Sequence, residues 1–424
     1  MTDSRGLMTR PRPRLGSSLK CAVAAALLAT AGCGGEDVSG PSVPVELAVP
    51  AGPGSGQARL SAGPEGEVVL SWLEPAGDAG TALRFALLGS DGWTEPRTVV
   101  TADDVVVNWT DLPSVVPITS DVLIAHWLKA APNSFAAYDI AYATSADGGR
   151  TFKVHGLLND DGALTEHGFV SLFPWDDAIG AVWLDGRRLA ELFESGEFDP
   201  DGPPVGMSLQ FAKIAYDGTV DQRGEIDELV CDCCPTSAAL AGADPVIVYR
   251  DRSPEEIRDI AVRRHANGSW SDPVILGPDG WQIEGCPVNG PAIAARGDAV
   301  VAAWFTAPEG QPRVRAARST DGGRTFGAAI DVDSDGAFGY VDVELLADGD
   351  ALVSWWRRGT QGEIELAIRR IGEDGALGEP QAAVTAAVGQ PVDVPQLAIS
   401  GDAAIIAWTD PSDERVRTMR VPLR

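Results

Sequence analysis

The chain carries the octet SADGGRTF at residues 145–152 and again, as STDGGRTF, at residues 319–326. A motif this specific, returning inside one chain, marks a repeated structural unit, and the unit's period fixes the class of fold. Around the octets a longer pattern recurs. An apolar run ending in Trp is followed, after a polar gap, by a second run that closes on Asp-Gly or Asn-Gly. The first members are GEVVLSWL (66–73), DVLIAHWL (121–128), DAIGAVWL (177–184) and DPVIVYRD (244–251), where Tyr replaces Trp. GDAVVAAWF (297–305), GDALVSWW (349–356) and GDAAIIAW (401–408) complete the series.

Each unit reads as strands. The Trp-ending run is apolar throughout, as in a strand buried on both faces. The next run alternates, as in EIELAI with Ile364, Leu366 and Ile368 on one side. The Asp-Gly or Asn-Gly that follows is a hairpin turn. A shorter apolar stretch precedes each Trp run, so a unit holds four antiparallel strands. Repetition about an axis then gives an all-β fold, a seven-bladed β-propeller, with six blades as the alternative. The seventh unit ends after its third strand. Residues 43–49, VPVELAV, are expected to supply the missing outer strand and close the ring, which removes an exposed edge.

With the octets in view, the chain resembles the sialidase-like, BNR-repeat propellers, whose Asp box reads S-x-D-G-G-x-T-F/W. The resemblance implies that the octets are scaffold turns between third and fourth strands. It also implies that function lies on the opposite face, at the loops leading into the innermost strands and those joining second to third strands.

Those loops supply the site residues. NWTDLPS, TEHGF, CDCCPT, EGCPVNGP, FGYVDV and QPVDV lead into units 2 to 7, and WLDGRR, YRDRSPEEIRD and WWRRGTQGE join strands. Asn108, Trp109, His167, Arg187, Arg250, Asp251, Arg252 and Asn289 are the expected ligand-binding set. Sialidases, by the resemblance, grip a sugar carboxylate with three arginines and attack with a carboxylate-activated Tyr, while an Asp serves as acid/base. Tyr340, with Glu344 nearby, has the placement of that Tyr, and Arg187, Arg250, Arg252, Arg357 and Arg358 are candidates for the basic pocket. The Arg-Ile-Pro motif of those enzymes is absent near the first blade. The other reading makes Tyr340 a channel-lining residue and pairs the arginines with Asp185, Asp251 and Asp259. Glycoside hydrolysis of another kind needs two carboxylates about 5 to 9 Å apart, for which Asp111, Asp185 and Asp251 are candidates. A propeller that binds glycans or proteins without catalysis needs only an aromatic, polar mouth, with Trp109, Trp281 or Trp355 as platforms.

Two further motifs carry chemistry. DVDSDG (331–336) has the Asp spacing of a calcium loop, so Asp331, Asp333 and Asp335 are candidate calcium ligands, the alternative being an acidic turn. Cys231, Cys233, Cys234 and Cys286 are the only cysteines beyond the first 33 residues. In an exported chain they imply two disulfides, with Cys286 bonded to one of the cluster. Alternatively their thiolates, with His167, hold zinc or copper.

The compartment comes from the front of the chain. A basic head, the apolar run of residues 21–31 and the TAGC ending resemble a lipoprotein signal: residues 1–32 a leader, Cys33 the lipidated residue, residues 33–42 a tether and 43–424 the propeller. The run is too short to cross a bilayer, which takes about 20 apolar residues. Export follows, with anchoring at the outer membrane or cell surface, since Gly34 rather than Asp follows Cys33. The formal charge of −28, more negative still without the basic leader, excludes nucleic acid as a partner and leaves the lipid as the only membrane contact. A glycan or other surface ligand is the expected partner.

Overall fold

The structure is a computed structural model that describes residues 43–423 apart from 135, 198, 200, 201, 203 and 387–392. The leader, Cys33 and the tether lie outside the described residues. Seven antiparallel sheets follow one another along the chain. The first holds Gly56–Ala62, Val68–Pro75, Thr81–Gly89 and Arg97–Ala102. In each blade the first strand is innermost and the second, which bears a Trp in every blade but the fourth, runs through the middle. No helix among the described residues is long and apolar enough to cross a membrane.

Seven blades follow from packing as well as from strand order. The buried residues fall into seven apolar clusters, each shared by two neighbouring blades. Trp183, for example, packs with Ile124 and Ile140 of the blade before it, and Trp355 with Val301 and Val314. A central strand buried on both faces sends alternate side chains into the two neighbouring interfaces, which is why its sequence is apolar throughout. Truncating one of these Trp residues to Ala would cost about 3 to 5 kcal/mol.

The last cluster joins blade 7 to blade 1. Val45–Leu47 pairs antiparallel with Arg415–Pro422, Val45 opposite Arg420 and Leu47 opposite Thr418. Trp93 of blade 1 donates its indole N–H to Thr418 Oγ1 at 2.9 Å, fastening the same seam. The ring is closed by the N-terminal strand, as the sequence predicts.

The octets are self-contained turns. Ser145 Oγ donates to Asp147 Oδ1 (2.8 Å) and accepts the N–H of Gly149 (2.9 Å), while Asp147 accepts the N–H groups of Arg150 and Thr151, each at 2.9 Å. Gly148 and Gly149 have φ of 71° and 75°, which glycine alone adopts without strain. Ser319 and Asp321 repeat the pattern. Phe152 meets Phe85 of the preceding blade edge-on at 5.7 Å. Each octet follows the third strand of its blade (Tyr138–Ser145 and Arg313–Ser319), whereas His167 begins an innermost strand, His167–Trp175. Antiparallel order therefore places Asp147 and Asp321 on the face opposite His167.

One element departs from expectation. The joining segment read as a loop at WLDGRR continues into a helix, Arg187–Ser195, ended by Gly196 in the left-handed conformation. Its residues, RRLAELFES, are mostly strong helix formers, a local preference that the repeat pattern hid.

Candidate functional site at the channel mouth

Three innermost strands open with the same distortion. The strand register slips between Gly56 and Arg59, between Gly168 and Ser171, and between Gly339 and Asp342. At each slip one side-chain-bearing residue takes a left-handed φ: Gln57 (53°), Phe169 (55°) and Tyr340 (54°). Such residues cost about 1 to 3 kcal/mol each and persist only where neighbours hold them. Two holders are clear. Asp111 Oδ1 accepts the Phe169 N–H at 2.8 Å, and Asn289 Oδ1 accepts that of Tyr340 at 2.6 Å. Both sit three residues before an innermost strand, with Pro at the next position but one (Pro113, Pro291). Asp393 repeats the Asp-x-Pro spacing before Gln396–Ser400, and there takes the Thr409 N–H instead.

Beside the Tyr340 strand head lies a small cavity of about 50 Å3, lined by Arg59, Thr236, Val288, Tyr340, Asp342 and Gln396 among others. Trp109, 50% exposed, stands in the loop leading into blade 2 and meets Tyr340 of blade 6, a lining residue, edge-to-face, with centroids 6.2 Å apart. Blades 2 and 6 are not neighbours, so this contact crosses the mouth of the ring. Asn108 shapes the Trp109 loop by accepting the N–H of Thr110 at 3.1 Å.

Acidic residues gather near the aromatic pair and along the Tyr340 strand. Burial pushes Asp111 up to about 7, against the Phe169 hydrogen bond, and its Oδ2 has no partner. Burial likewise lifts Asp342 to about 6 and Glu344 to about 8, the latter with help from Asp342. Arg59 faces Asp342 and Asp111, and burial lowers its pKa against their attraction. Tyr340, Asp342 and Glu344 share the channel side of their strand, since Val341, Val343 and Leu345 between them are core.

His167 begins the innermost strand of blade 3, two residues before Phe169, and is wholly buried. Its Nε2 is 3.0 Å from Asp161 Oδ2 and 3.7 Å from Asp185 Oδ1, and its Nδ1 is 3.1 Å from the Tyr138 carbonyl. Both ring nitrogens thus face acceptors, which only the doubly protonated ring satisfies. Burial opposes that charge, but Asp161 and Asp185 outweigh it and raise the pKa. Protonated, His167 ties three strand ends together; its Nε2 also gathers with Asp161 and Asp185 oxygens within 4.8 Å, a donor set able to hold a metal ion.

Several sequence expectations are corrected here. The basic pocket does not form: three of the arginines are ion-paired and the other two lie over aromatic rings. Arg187 is a two-pronged pair with Asp185 (2.8 and 2.7 Å), Arg252 is held by Asp232 and Glu256, and Arg357 by Glu365. Arg358 lies over the Phe338 ring and Arg250 over that of Trp281. Asp185 is wholly buried under Arg187 and Trp183, and Asp251 is partly buried, its carboxyl raised to about 6 by burial. Tyr340 is raised by burial, and among the described residues no carboxylate is hydrogen-bonded to its hydroxyl. Trp281 and Trp355 are core, which leaves Trp109 as the exposed platform.

The calcium set does not converge. Asp331 pairs with Arg315 at 2.8 Å, while Asp333 accepts the Trp355 indole N–H (2.6 Å) and the N–H of Asp335 (2.9 Å). Of the cysteines, Cys231, Cys233 and Cys234 gather, but Cys286 is exposed and outside the group, so the expected Cys286 bond is not made. His167 belongs with Asp161 and Asp185, not with the thiols.

Sequence reading missed Arg59, Asp161, Tyr138 and the holding role of Asp111 and Asn289. The Asp-x-Pro and Asn-x-Pro spacing before each strand was the available signal for the last two.

No protein-family model matches the sequence, and no curated protein matches it. Among solved structures the chain is similar to the BP39L lectin from Burkholderia pseudomallei. Identity is 12% and TM-score 0.54, over 86% of this chain and 96% of that one. It is also similar to the NanB sialidase from Streptococcus pneumoniae (11%, TM-score 0.42, 86% and 68% covered). A third is the alpha-L-arabinofuranosidase Arb93A from Fusarium graminearum (14%, TM-score 0.46, 90% and 97%). At these identities the likeness is one of fold.

Proposed function

We propose that the chain is an exported, lipid-anchored propeller of the sialidase-like, Asp-box kind that binds carbohydrate at its channel mouth without cleaving it. The observation that carries this is the exposed Trp109, seated against Tyr340 across the ring and beside the polar cavity of Arg59, Thr236 and Gln396. An aromatic face flanked by a few convergent polar groups is what a sugar ring needs: stacking for its C–H face and donors for its hydroxyls. Binding is favoured over sialidase chemistry because Arg187, Arg252 and Arg357 are tied to carboxylates and, among the described residues, none is hydrogen-bonded to the Tyr340 hydroxyl. The fold is one that a protein named a lectin shares.

The test is a glycan array probed with the full chain, beside a panel of fluorogenic glycosides. Binding without turnover, weakened about tenfold in Trp109→Ala (about 1.4 kcal/mol), is expected. Absence of any glycan signal, or a signal indifferent to Trp109, would sink the reading.

Hydrolysis is the second reading, favoured by one observation. Burial holds Asp111 near 7, where a carboxyl can donate a proton, with Oδ2 bare. Turnover of a glycoside that Asp111→Asn abolishes would establish it. Export and anchoring rest on residues 1–33, and radiolabelled palmitate that enters the wild type but not Cys33→Ser tests them.

A further inference from the structure

Cys231, Cys233 and Cys234 bring three sulfurs within 4.8 Å of one another in the loop leading into blade 4. Cys231 Sγ is 4.0 Å from Cys233 Sγ and 2.7 Å from Cys234 Sγ. Cys231 and Cys234 are buried and Cys233 is half-buried, so the group is sheltered yet reachable through Cys233.

A second observation, independent of the sulfurs, points to negative charge here. Arg250 is 1% exposed and has no carboxylate partner. Its hydrogen bonds go to neutral carbonyls: Asn289 (3.0 and 2.9 Å), Arg258 (2.6 Å) and Phe305 (2.7 Å). A buried guanidinium without a counter-charge is expensive. The Arg250 carbonyl accepts the Cys231 N–H at 3.0 Å, which sets this residue beside the cluster, and its charge bears on both Cys231 and Cys234. Arg258, buried and paired with Glu256, also bears on Cys231.

We propose that Cys231, Cys233 and Cys234 form a three-thiolate site for a single soft cation, copper(I). Binding releases three protons from three thiols and leaves a complex of net charge −2, set against Arg250 and Arg258. Sulfurs bonded to one ion at about 2.3 Å lie about 4 Å apart. The Cys231–Cys233 separation already has that value, and Cys234 must swing out by about 1 Å to join. Zinc in closed protein sites takes four donors, whereas thiolates select copper(I). Asp232, within the cluster's own loop, is committed to Arg252 and the Met207 N–H, and His167 gathers with Asp161 and Asp185 rather than with the thiols. This site is separate from the carbohydrate reading, and neither depends on the other.

The experiment loads the reduced full chain with copper(I) under anaerobic conditions and challenges it with bathocuproine disulfonate. One copper per chain should be retained. Cys233→Ser should weaken retention by about 100-fold or more, the scale on which a linked donor contributes, and Cys286→Ser should leave it unchanged. Melting curves of each variant separate lost ligation from lost folding, since Cys233 is not a core residue. Complete loss of copper to the chelator overturns the proposal. So does retention that Cys233→Ser leaves intact, or zinc held one-to-one in preference to copper. A Cys231–Cys234 disulfide that persists in the reduced preparation does the same.

Discussion

Asp111 and Asn289 do the same work three blades apart. Each accepts, through its Oδ1, the N–H of a residue in left-handed conformation at the head of the next innermost strand, at 2.8 and 2.6 Å. One is a carboxylate and the other its neutral amide, although both are at least nine-tenths buried. The acceptor oxygen is common to both. The charge is particular to Asp111, where it works against burial.

Asp111→Asn should therefore stabilise the chain at alkaline pH. With its folded pKa raised to about 7, Asp111 makes the folded state bind more protons than the unfolded one between about pH 4 and 7. Stability falls as pH rises through that window, and the full cost is present above it. The variant keeps the Phe169 hydrogen bond, and a gain on the order of 2 kcal/mol at pH 8 is expected, fading to little at pH 4. Denaturant melts at the two pH values measure it. A loss at pH 8 would mean that the ionised carboxylate is needed where it stands.

The blades were legible because a buried strand and an Asp-Gly turn are local patterns, written in residues 66–73 or 297–305 without reference to the rest of the chain. Ring closure was legible because the seventh unit lacks a strand and residues 43–49 supply one. The site was less so. Arg250 and Arg187 look alike in sequence, yet one ends on carbonyls from blades 4 and 5 and the other on Asp185, and only the register of loops from different blades decides between them. His167 went the same way. Its partners Asp139 and Asp161 lie in the preceding blade and the segment leading out of it, in no motif that includes it.

His167→Gln should lose stability in a pH-dependent way. The folded pKa of His167 is raised, so its contribution is full below its unfolded value of about 6.5 and is lost as pH climbs through the folded value. Asp161 is depressed by the same contact despite its burial, so its share is present above about pH 4 and disappears in acid. Between about pH 4 and 6.5 both contributions hold, and leaving the carboxylates without their cation should cost about 3 kcal/mol there. Above the folded pKa the gap from wild type should narrow. A deficit that stays constant from pH 5 to 9 would show that the ring is neutral and merely packed.

Removing residues 43–47 should open the ring. It strips Val45–Leu47 from Arg415–Pro422 and leaves that last strand as a bare edge, which templates pairing between chains. The expected result is a lower melting temperature and aggregation that grows with protein concentration, seen by light scattering. A deletion that melts like the full chain would mean that the seam is held by Trp93 and the apolar contacts alone.

Gly168 and Gly339 offer a test of what the two holders require of the strand they hold. A Cβ at Gly168 would lie 1.8 Å from Asp111 Oδ2, and one at Gly339 would lie 2.0 Å from Asn289 Oδ1. Gly339 also has a φ of 90°, which any side chain would strain, whereas Gly168 does not have a left-handed φ. Gly168→Ala should therefore cost about 1 to 3 kcal/mol through overpacking alone. Combined with Asp111→Ala, it should cost less than the two single changes together, by about 1 kcal/mol or more, because the clashing oxygen has gone. Gly339→Ala should cost more and recover less with Asn289→Ala, since the backbone strain remains. Equal recovery at both positions would show that crowding, not backbone conformation, requires glycine at the head of these strands.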